Sequence, residues 1–389
     1  MTLTDEQKKL VQANASVMKE HGTEITTKFY ATMFNEHPEM RNFFNQTNQK
    51  TGKQPMALAQ TVYYFVEHLD NLDVMIPQMA RISSKHRAIT VKPEHYPIVG
   101  KYLLQAIKEH MGDKATPELM AAWQGVYDLI ASTFMKLEKE LYDKVGGDER
   151  NKGFIPFTVI KKEPIASGPI YVLTMERQDG GKLFHYNSGQ YVTLRVEKDG
   201  VLHHGHYPLI DPFNGNTYTV AFKQGNDLDQ NSIVSEEIIR NSVVGSKILF
   251  SAPAGSFSLV KDAKHHLFVS GGIGVTSFMA MIQELDQQGK AASASLIQCV
   301  RTEEHAAFAG KLHRILSQDQ YVILTQKEPI SKAHLEGKLK SDTHVYVAGS
   351  ETFLSMAEKA LEGSNHPKAQ IHWRSIEPTL RILQSIDHK

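Results

Sequence analysis

The sequence predicts a multidomain fold in three parts: an all-α region, an antiparallel β-barrel and an α/β region with a parallel sheet. Three observations support this. Apolar residues recur at helical spacing to about residue 145, short β-type runs separated by turn residues follow, and buried-type strands alternate with helical stretches from about residue 265. A length of 389 residues is consistent with two or three domains.

The predicted helical domain covers residues 1–145. Thr4 and Gln7 form a capping-box pattern at the start of its first helix. One stripe at helical spacing contains Leu58, Val62, Phe65 and Leu69, and another contains Trp123, Tyr127, Ile130, Phe134, Leu137 and Leu141. Residues 146–153 are mostly glycine and charged residues, so we expect an exposed linker there.

A barrel domain is predicted over residues 154–262 and a parallel-sheet domain over residues 263–389. The β-type runs of the first are 157–160, 170–173, 190–196 and 217–222, and those of the second are 266–270, 294–300, 321–325 and 345–348. A glycine-rich turn, Gly271-Gly272-Ile273-Gly274, lies between a predicted strand and a predicted helix. This context is typical of a dinucleotide phosphate site at a helix N-terminus.

Composition excludes several classes of function. Lys plus Arg and Asp plus Glu are both 43, and this zero net charge argues against nucleic-acid binding and binding to anionic membranes. A single cysteine, Cys299, excludes an intrachain disulfide, an iron–sulfur cluster and a thiolate zinc site, and we assign it no role. With no signal core and no apolar run long enough to span a membrane, we expect a cytoplasmic protein.

Several polar residues on predicted helices are candidates for chemistry. His86 lies on an apolar helix face, where it is either a metal or heme ligand or a core histidine bonded to a carbonyl. Glu138, at the edge of a buried stripe, and Tyr96 are either partners for such a group or ordinary rim residues. Tyr30 and Gln54 either point into a common pocket, as donors over a metal-bound diatomic ligand, or are ordinary half-buried groups.

Together these residues lie within motifs of a known family. Lys85-His86-Arg87 and the run 91–100 resemble the proximal region of flavohemoglobins, and 29–34 and 43–49 resemble the distal region. Gln54 follows at the expected interval, and 137–142 resembles the end of the globin. The resemblance covers essentially the whole chain. It implies a globin, a flavin barrel and a ferredoxin-reductase-like nicotinamide domain, in that order.

The resemblance implies roles on both sides of a heme b. His86 would be the proximal ligand, with Glu138 and Tyr96 behind it and Lys85 near the path between heme and flavin. A carboxylate on the imidazole pushes electron density to the iron. On the distal side, Tyr30 and Gln54 would hydrogen-bond bound dioxygen, and Phe44 would pack on the porphyrin.

The second half is expected to bind FAD and NAD(P)H. The residues at the positions of the family's flavin motifs are Tyr191, Gly205, His206, Tyr207, Pro208, Ser232 and Ile376. Those of the nicotinamide turn are Gly272, Ile273, Gly274, Val275, Thr276 and Ser277.

This half departs from the family at the flavin site. Gly205 and Pro208 replace the Arg and Ser of the family's Arg-x-Tyr-Ser motif, and Ala348-Gly349-Ser350 replaces Cys-Gly-Pro. Arg374 replaces an acidic residue, and Ile376 replaces the aromatic that covers the flavin. Three interpretations follow: loosely held FAD with help from His204 and His206, altered redox behaviour, or loss of FAD. Metal binding by His203, His204 and His206 is less favoured than a solvated strand end, because alternation leaves at most two on one face.

The resemblance implies a nitric oxide dioxygenase that uses NAD(P)H and dioxygen. We expect a monomer whose partners are dioxygen, nitric oxide and NAD(P)H, with a lipid in the distal pocket as an alternative ligand. The preference between NADH and NADPH is left open. One rival is a heme protein that binds or senses a gas or a lipid, with impaired or lost reductase activity; another is a ferredoxin-reductase-like flavoenzyme with a heme-free helical domain.

Overall fold

The computed structural model describes residues 3–145, 149–165, 170–224 and 230–376; the side chains of 46–47, 149–150 and 230–232 lie outside that description. The chain divides into two compact units. Among the described residues, the first unit contains those up to Gly153 together with Val196–His204, and the second contains Phe154–Arg195 and those from Gly205 to Ile376. The proposed domain boundaries, including the one at residue 262, stay predictions.

The first unit is built from helices, as the sequence predicts. They are α1 Asp5–Gln12, α2 Ser16–Glu36, α3 Gln46–Lys50, α4 Lys53–Glu67, α5 Ile76–Ala88, α6 His95–Met111 and α7 Pro117–Lys144, with 3₁₀ turns at Pro38–Phe43, Leu72–Met75, Gly112–Lys114 and Glu149–Lys152. The capping box is present, since the Gln7 amide donates to Thr4 Oγ1 at 3.2 Å and the Thr4 amide donates to Gln7 Oε1 at 3.0 Å.

Helix packing in this unit brings distant parts of the sequence together. Helix α2 packs on α4 and α6, and α5 packs on α7. A Cβ added at Gly22 would lie 2.8 Å from the Cβ of Ala59, so α2 and α4 approach closely where glycine leaves room. Trp123, from the predicted stripe on α7, is fully buried in the core.

An antiparallel six-stranded sheet follows. Its strands are β1 Phe154–Ile165, β2 Ile170–Arg177, β3 Tyr191–Lys198, β4 Val201–Pro208, β5 Thr217–Lys223 and β6 Lys247–Ser251, and helix α8 covers Gln230–Asn241. The strand order is β4-β3-β6-β1-β2-β5. An antiparallel bridge between Leu209 and Val220 joins the two end strands and closes the sheet into the predicted barrel. The predicted β-type runs included neither β4, which is rich in histidine, nor β6, which is only five residues long.

A parallel five-stranded sheet completes the described chain, with order β11-β10-β7-β8-β9. Its strands are β7 His265–Gly271, β8 Ala294–Cys299, β9 Tyr321–Leu324, β10 Thr343–Gly349 and β11 Ile371–Ser375. Its helices are α9 Thr276–Gln287, α10 Ala309–Ile315, α11 Lys332–Leu335 and α12 Glu351–Leu361, with 3₁₀ turns at Gly272–Val275, Ala291–Ser293, Glu303–His305 and Lys368–Gln370. Strand β11 was not predicted, because His372, Trp373 and Arg374 interrupt its apolar pattern.

Among the described helices, none is both long and apolar enough to cross a lipid bilayer.

Candidate functional site

A hydrogen-bonded group of three side chains surrounds His86 in the helical unit. Glu138 Oε1 lies 2.7 Å from His86 Nδ1 and accepts a 2.6 Å hydrogen bond from the Tyr96 hydroxyl. A carboxylate can only accept, so Nδ1 carries the proton and the free lone pair of the imidazole lies on Nε2. Burial, and then the charge of Glu138, raise the pKa of Tyr96, which keeps its hydroxyl a donor.

Helix α7 positions this group from one side. Glu138 and Tyr142 are one turn apart, and the Tyr142 hydroxyl donates to the Val91 carbonyl at 2.8 Å. About three turns before Glu138 on the same helix, Tyr127 donates to the carbonyl of Tyr96 at 2.5 Å. The segment that leads into α6 is therefore fixed against α7 at two points on either side of Glu138.

The group of His86, Glu138 and Tyr96 is suited to binding a heme iron. Glu138 is only 3% exposed, and a buried carboxylate is costly unless it is hydrogen-bonded, as it is here by two donors. Apolar residues pack around the group: Phe65, Met75, Met79, Ala131 and Phe134. A neutral imidazole with an oriented Nε2 in apolar surroundings is the donor that heme iron takes.

A second polar group in the same unit surrounds the Tyr30 hydroxyl. Tyr30 is buried on α2, and burial raises the pKa of its phenol, while side-chain hydrogen bonds with Gln49 and Gln54 oppose that rise. Gln49 Nε2 and Gln54 Oε1 are buried without a hydrogen-bond partner among the described residues. Unsatisfied buried amide atoms are rare, so their presence fits a pocket that receives a small polar ligand.

The structure also places Phe44 and Lys85. The Phe44 ring contacts the Tyr30 ring edge-on, with centroids 5.3 Å apart. Lys85 is exposed on α5, next to His86. Phe44 thus belongs to the Tyr30 group, as the resemblance implies, and Lys85 lies at the surface beside the His86 group.

Within the second unit, the predicted flavin residues around Tyr191 lie together. The backbones of Tyr191 and Ala254 exchange hydrogen bonds of 3.0 and 2.8 Å, and Gln190 Nε2 donates to the Gly255 carbonyl at 2.8 Å. Gly255 has φ +102°, and a Cβ there would lie 2.9 Å from the Tyr191 ring. One surface, which we call the Tyr191 surface, consists of the rings of Tyr191 and Phe257 and the Arg374 guanidinium. It is suited to a flat, negatively charged group.

Tyr207 occupies the space beside Gly205. A Cβ added at Gly205 would lie 2.6 Å from Cε2 of Tyr207, whose ring packs on Phe222 at a centroid distance of 4.5 Å. The Tyr207 hydroxyl is 2.9 Å from Ser235 Oγ on α8. The predicted Ser232 lies one turn earlier on α8, with its side chain outside the described part. Among the described residues of α8, Ser235 therefore supplies the hydroxyl that contacts Tyr207, and its role was not predicted from the sequence.

The histidines of β4 are divided between its two faces. His203 is buried, while His204 and His206 share the half-buried face, as alternation predicts. His206 Nδ1 lies 2.8 Å from Thr193 Oγ1, and Pro208 ends the strand. Among the described residues, no three His, Cys, Asp or Glu side chains are arranged to hold a metal ion.

The glycine-rich turn has the geometry of a phosphate cradle. Residues 272–275 form a 3₁₀ turn that runs into α9 at Thr276. The Thr276 N–H already donates to the Ile273 and Gly274 carbonyls, so the N–H groups left for a ligand are those at the start of the turn, which has no side-chain cap among the described residues. Gly272 has φ +53°, and a Cβ at Gly274 would collide with the Ala348 carbonyl oxygen. Thr276 Oγ1 donates to the Ile273 carbonyl at 2.8 Å, and Ser277 Oγ is buried without a partner in the described chain.

The C-terminal departures lie at one end of the parallel sheet. The Ile376 amide donates to the Gly349 carbonyl at 3.1 Å. Ser350, in place of the family's proline, caps α12 by accepting from the Phe353 amide. Ile376 is half-buried and has no aromatic ring to stack on a flavin.

Two residues emerge only from the structure: Gln49 and Ser235. Each lies near a predicted residue in sequence, Gln49 five residues before Gln54 and Ser235 three residues after Ser232. Helical spacing on α8 was the signal available for Ser235. For Gln49, the signal was its place at the end of the run 43–49, which resembles the distal region, although no role was assigned to it.

Comparisons with known proteins agree with this geometry. The Globin family model matches residues 27–134. A flavohemoprotein of Halalkalibacterium halodurans is 33% identical over 99% of both chains, and one of Bacillus subtilis is 31% identical over 97% of this chain and 98% of that protein. The crystal structure of a Malassezia yamatoensis flavohemoglobin with bound FAD and heme superposes with a TM-score of 0.84 at 23% identity, covering 97% of this chain and 100% of that one.

The fold and the site define a globin joined to an oxidoreductase module with an antiparallel flavin-type barrel and a parallel nicotinamide-type sheet. The chain belongs to the flavohemoprotein family, because it matches relatives more than 30% identical over nearly their whole length. The predicted family and fold class are confirmed.

Proposed function

We propose that this protein is a nitric oxide dioxygenase that uses NAD(P)H and dioxygen to oxidise nitric oxide to nitrate. The observation on which the proposal rests is the hydrogen-bonded group of His86, Glu138 and Tyr96 in a globin whose chain continues into a reductase fold. Glu138 withdraws the Nδ1 proton toward itself, which increases the electron density that Nε2 can donate.

We expect this chain to use the predicted cofactors, heme b, FAD and NAD(P)H, because it belongs to the flavohemoprotein family and a flavohemoglobin of the same fold holds heme and FAD. When bound, they supply dioxygen activation and electron transfer. The chain's own residues hold and orient them. His86 presents Nε2 to the iron, and the turn 272–277 presents backbone N–H groups to a dinucleotide diphosphate.

Tyr30 and the two glutamines orient a diatomic ligand. The Tyr30 phenol stays protonated because burial raises its pKa, so it offers a hydrogen bond without charge. Among the described residues, Gln49 Nε2 is left as a donor and Gln54 Oε1 as an acceptor, and both side chains lie beside the Tyr30 hydroxyl. Phe44 packs on Tyr30 and restricts the movement of its ring.

Impaired reductase activity is not favoured as an alternative, because full-length flavohemoproteins match both halves of the chain. Monomeric state, cytoplasmic location, a lipid ligand and the choice between NADH and NADPH stay predictions.

The test is NAD(P)H-driven consumption of nitric oxide by the full chain reconstituted with heme and FAD. We expect turnover that requires both cofactors and yields nitrate. No turnover with both cofactors bound would contradict the proposal. His86→Ala should abolish stoichiometric heme binding, whereas the matched His21→Ala, at a half-exposed histidine of the same unit, should retain the heme spectrum.

A further inference from the structure

Arg374 contacts the flavin-motif residues of the barrel from the last strand of the parallel sheet. Its Nη1 donates to the Gly189 carbonyl at 2.5 Å. Its guanidinium carbon lies 5.4 Å from the centre of the Tyr191 ring and 5.7 Å from that of Phe257. A guanidinium over two aromatic faces is held by cation–π attraction as well as by its hydrogen bond.

The carbonyl that receives Arg374 is itself fixed. Gly189 has φ +99°, and a Cβ there would lie 2.6 Å from the Phe257 carbonyl oxygen, so only glycine fits. On the other side, Arg374 pairs with Ala348 in the register of β11 with β10. The backbone therefore fixes both partners of this hydrogen bond, the Gly189 carbonyl and the strand that carries Arg374. This places a positive charge at one defined point of the Tyr191 surface.

The arginine that the family uses to neutralise the flavin phosphate is missing from this chain. The family's Arg-x-Tyr-Ser arginine is Gly205 here, and the Tyr207 ring fills the space that a side chain at 205 would need. The His206 ring packs edge-on against Tyr191, with centroids 5.0 Å apart, and its Nδ1 is engaged by Thr193 Oγ1 at 2.8 Å, so Arg374 is the permanently charged group at this ring. Arg374 stands where the family has an acidic residue. Relative to the family, the charge is therefore reversed at position 374, and a positive charge is lost at position 205.

We propose that Arg374 is the cation that stabilises the reduced, negatively charged isoalloxazine of FAD in this protein. The inference rests on the proposed function, because it assumes that FAD occupies the Tyr191 surface. A positive charge beside a flavin favours the state that has gained electrons, and low-dielectric aromatic surroundings strengthen that effect. The consequence is a flavin with a higher midpoint potential than an acidic residue at 374 would give.

The test compares the FAD midpoint potential of the anaerobic full-length holoprotein, measured by spectroelectrochemistry, with those of three variants. Arg374→Glu should shift the reduction equilibrium toward oxidised FAD by at least tenfold, about 30 mV for a two-electron couple. Arg374→Gln should shift it less, and Arg374→Lys should retain most of the wild-type potential. The matched control is Arg314→Glu, which makes the same charge change at an exposed site on α10 and should leave the potential unchanged.

FAD affinity of the apoprotein, from quenching of flavin fluorescence, gives a second readout for any variant that loses its flavin during purification. We expect Arg374→Glu to weaken binding severalfold and Arg374→Lys to leave it near wild type. An unchanged potential and affinity in Arg374→Glu would overturn the role of Arg374 alone and leave the proposed function standing. A wild-type protein that takes up no FAD would overturn both.

Discussion

His86 Nδ1 lies 2.7 Å from Oε1 of Glu138, a residue 52 positions later that is 3% exposed. The pair joins α5 to α7 through one short, charge-assisted hydrogen bond. Because the carboxylate fixes the tautomer, it also decides which nitrogen of His86 is available to a metal.

Replacing Glu138 by Gln should keep the hydrogen bonds and remove the charge. We expect heme to stay bound, the iron–histidine stretching frequency to fall, and nitric oxide consumption to drop about 10- to 100-fold. Resonance Raman spectra and turnover assays measure the two effects. The comparison is Tyr96→Phe, which removes one donor but keeps the carboxylate and should shift the frequency less. An unchanged frequency in Glu138→Gln would show that the carboxylate does not act through His86.

Gln49 should act on the distal ligand together with Gln54. Replacing either residue by Leu removes a polar amide beside the Tyr30 hydroxyl, so the infrared C–O stretching frequency of the carbon monoxide complex should rise. The matched control is Gln105→Leu, an exposed glutamine on α6 that should leave the band in place. A shift in Gln54→Leu without one in Gln49→Leu would place Gln49 outside the ligand pocket.

Gly205→Ala should destabilise the barrel by about 1–3 kcal/mol, the usual effect of an overpacked site. The new methyl group would displace the Tyr207 ring, which is 5% exposed, and break its hydrogen bond to Ser235. Urea unfolding gives the change in stability, and hydrogen exchange in β4 locates it. Gly310→Ala, on α10 with open space around it, should instead stabilise the protein by about 0.5–1 kcal/mol. Equal behaviour of the two variants would contradict the role given to Tyr207.

Acid should destabilise the parallel sheet through His266, which is 3% exposed on β7. Burial first, and then the nearby His344, His265 and Lys290, lower the pKa of His266 from 6.5 to about 4. Between these two values the unfolded chain binds a proton that the folded chain does not, so stability is complete above pH 6.5 and falls, by up to about 3 kcal/mol, as the pH drops to 4.

Urea unfolding followed by Trp373 fluorescence in a Trp123→Phe background measures this loss. His266→Phe should flatten the profile between pH 6.5 and 4, although not completely, because burial also lowers the pKa of His372 to about 4. The exposed His305→Phe should keep the wild-type slope. A His266→Phe profile as steep as that of the wild type would rule out His266 as a source of the pH dependence.

The residue pattern alone was enough to predict the local elements. Three local features depend only on residues close together in the chain: the apolar stripes, the Thr4–Gln7 capping box and the Gly271–Gly274 turn. The structure has helices, a helix cap and a turn at those positions. Strand β11 was missed because its alternation contains polar residues at an edge, where burial imposes little pattern.

The sequence by itself determined the order of the three folds, the glycines that their turns need, and His86 as a ligand candidate, because each depends on neighbours within a few turns of chain. The family resemblance implied Glu138 behind His86, and the tertiary structure gives the 2.7 Å contact between them. Only the tertiary structure decided that Gln49 reaches Tyr30 and that Arg374 lies on Tyr191. These contacts join residues from separate elements, and their distances are fixed by how helices and strands pack, which no local pattern specifies.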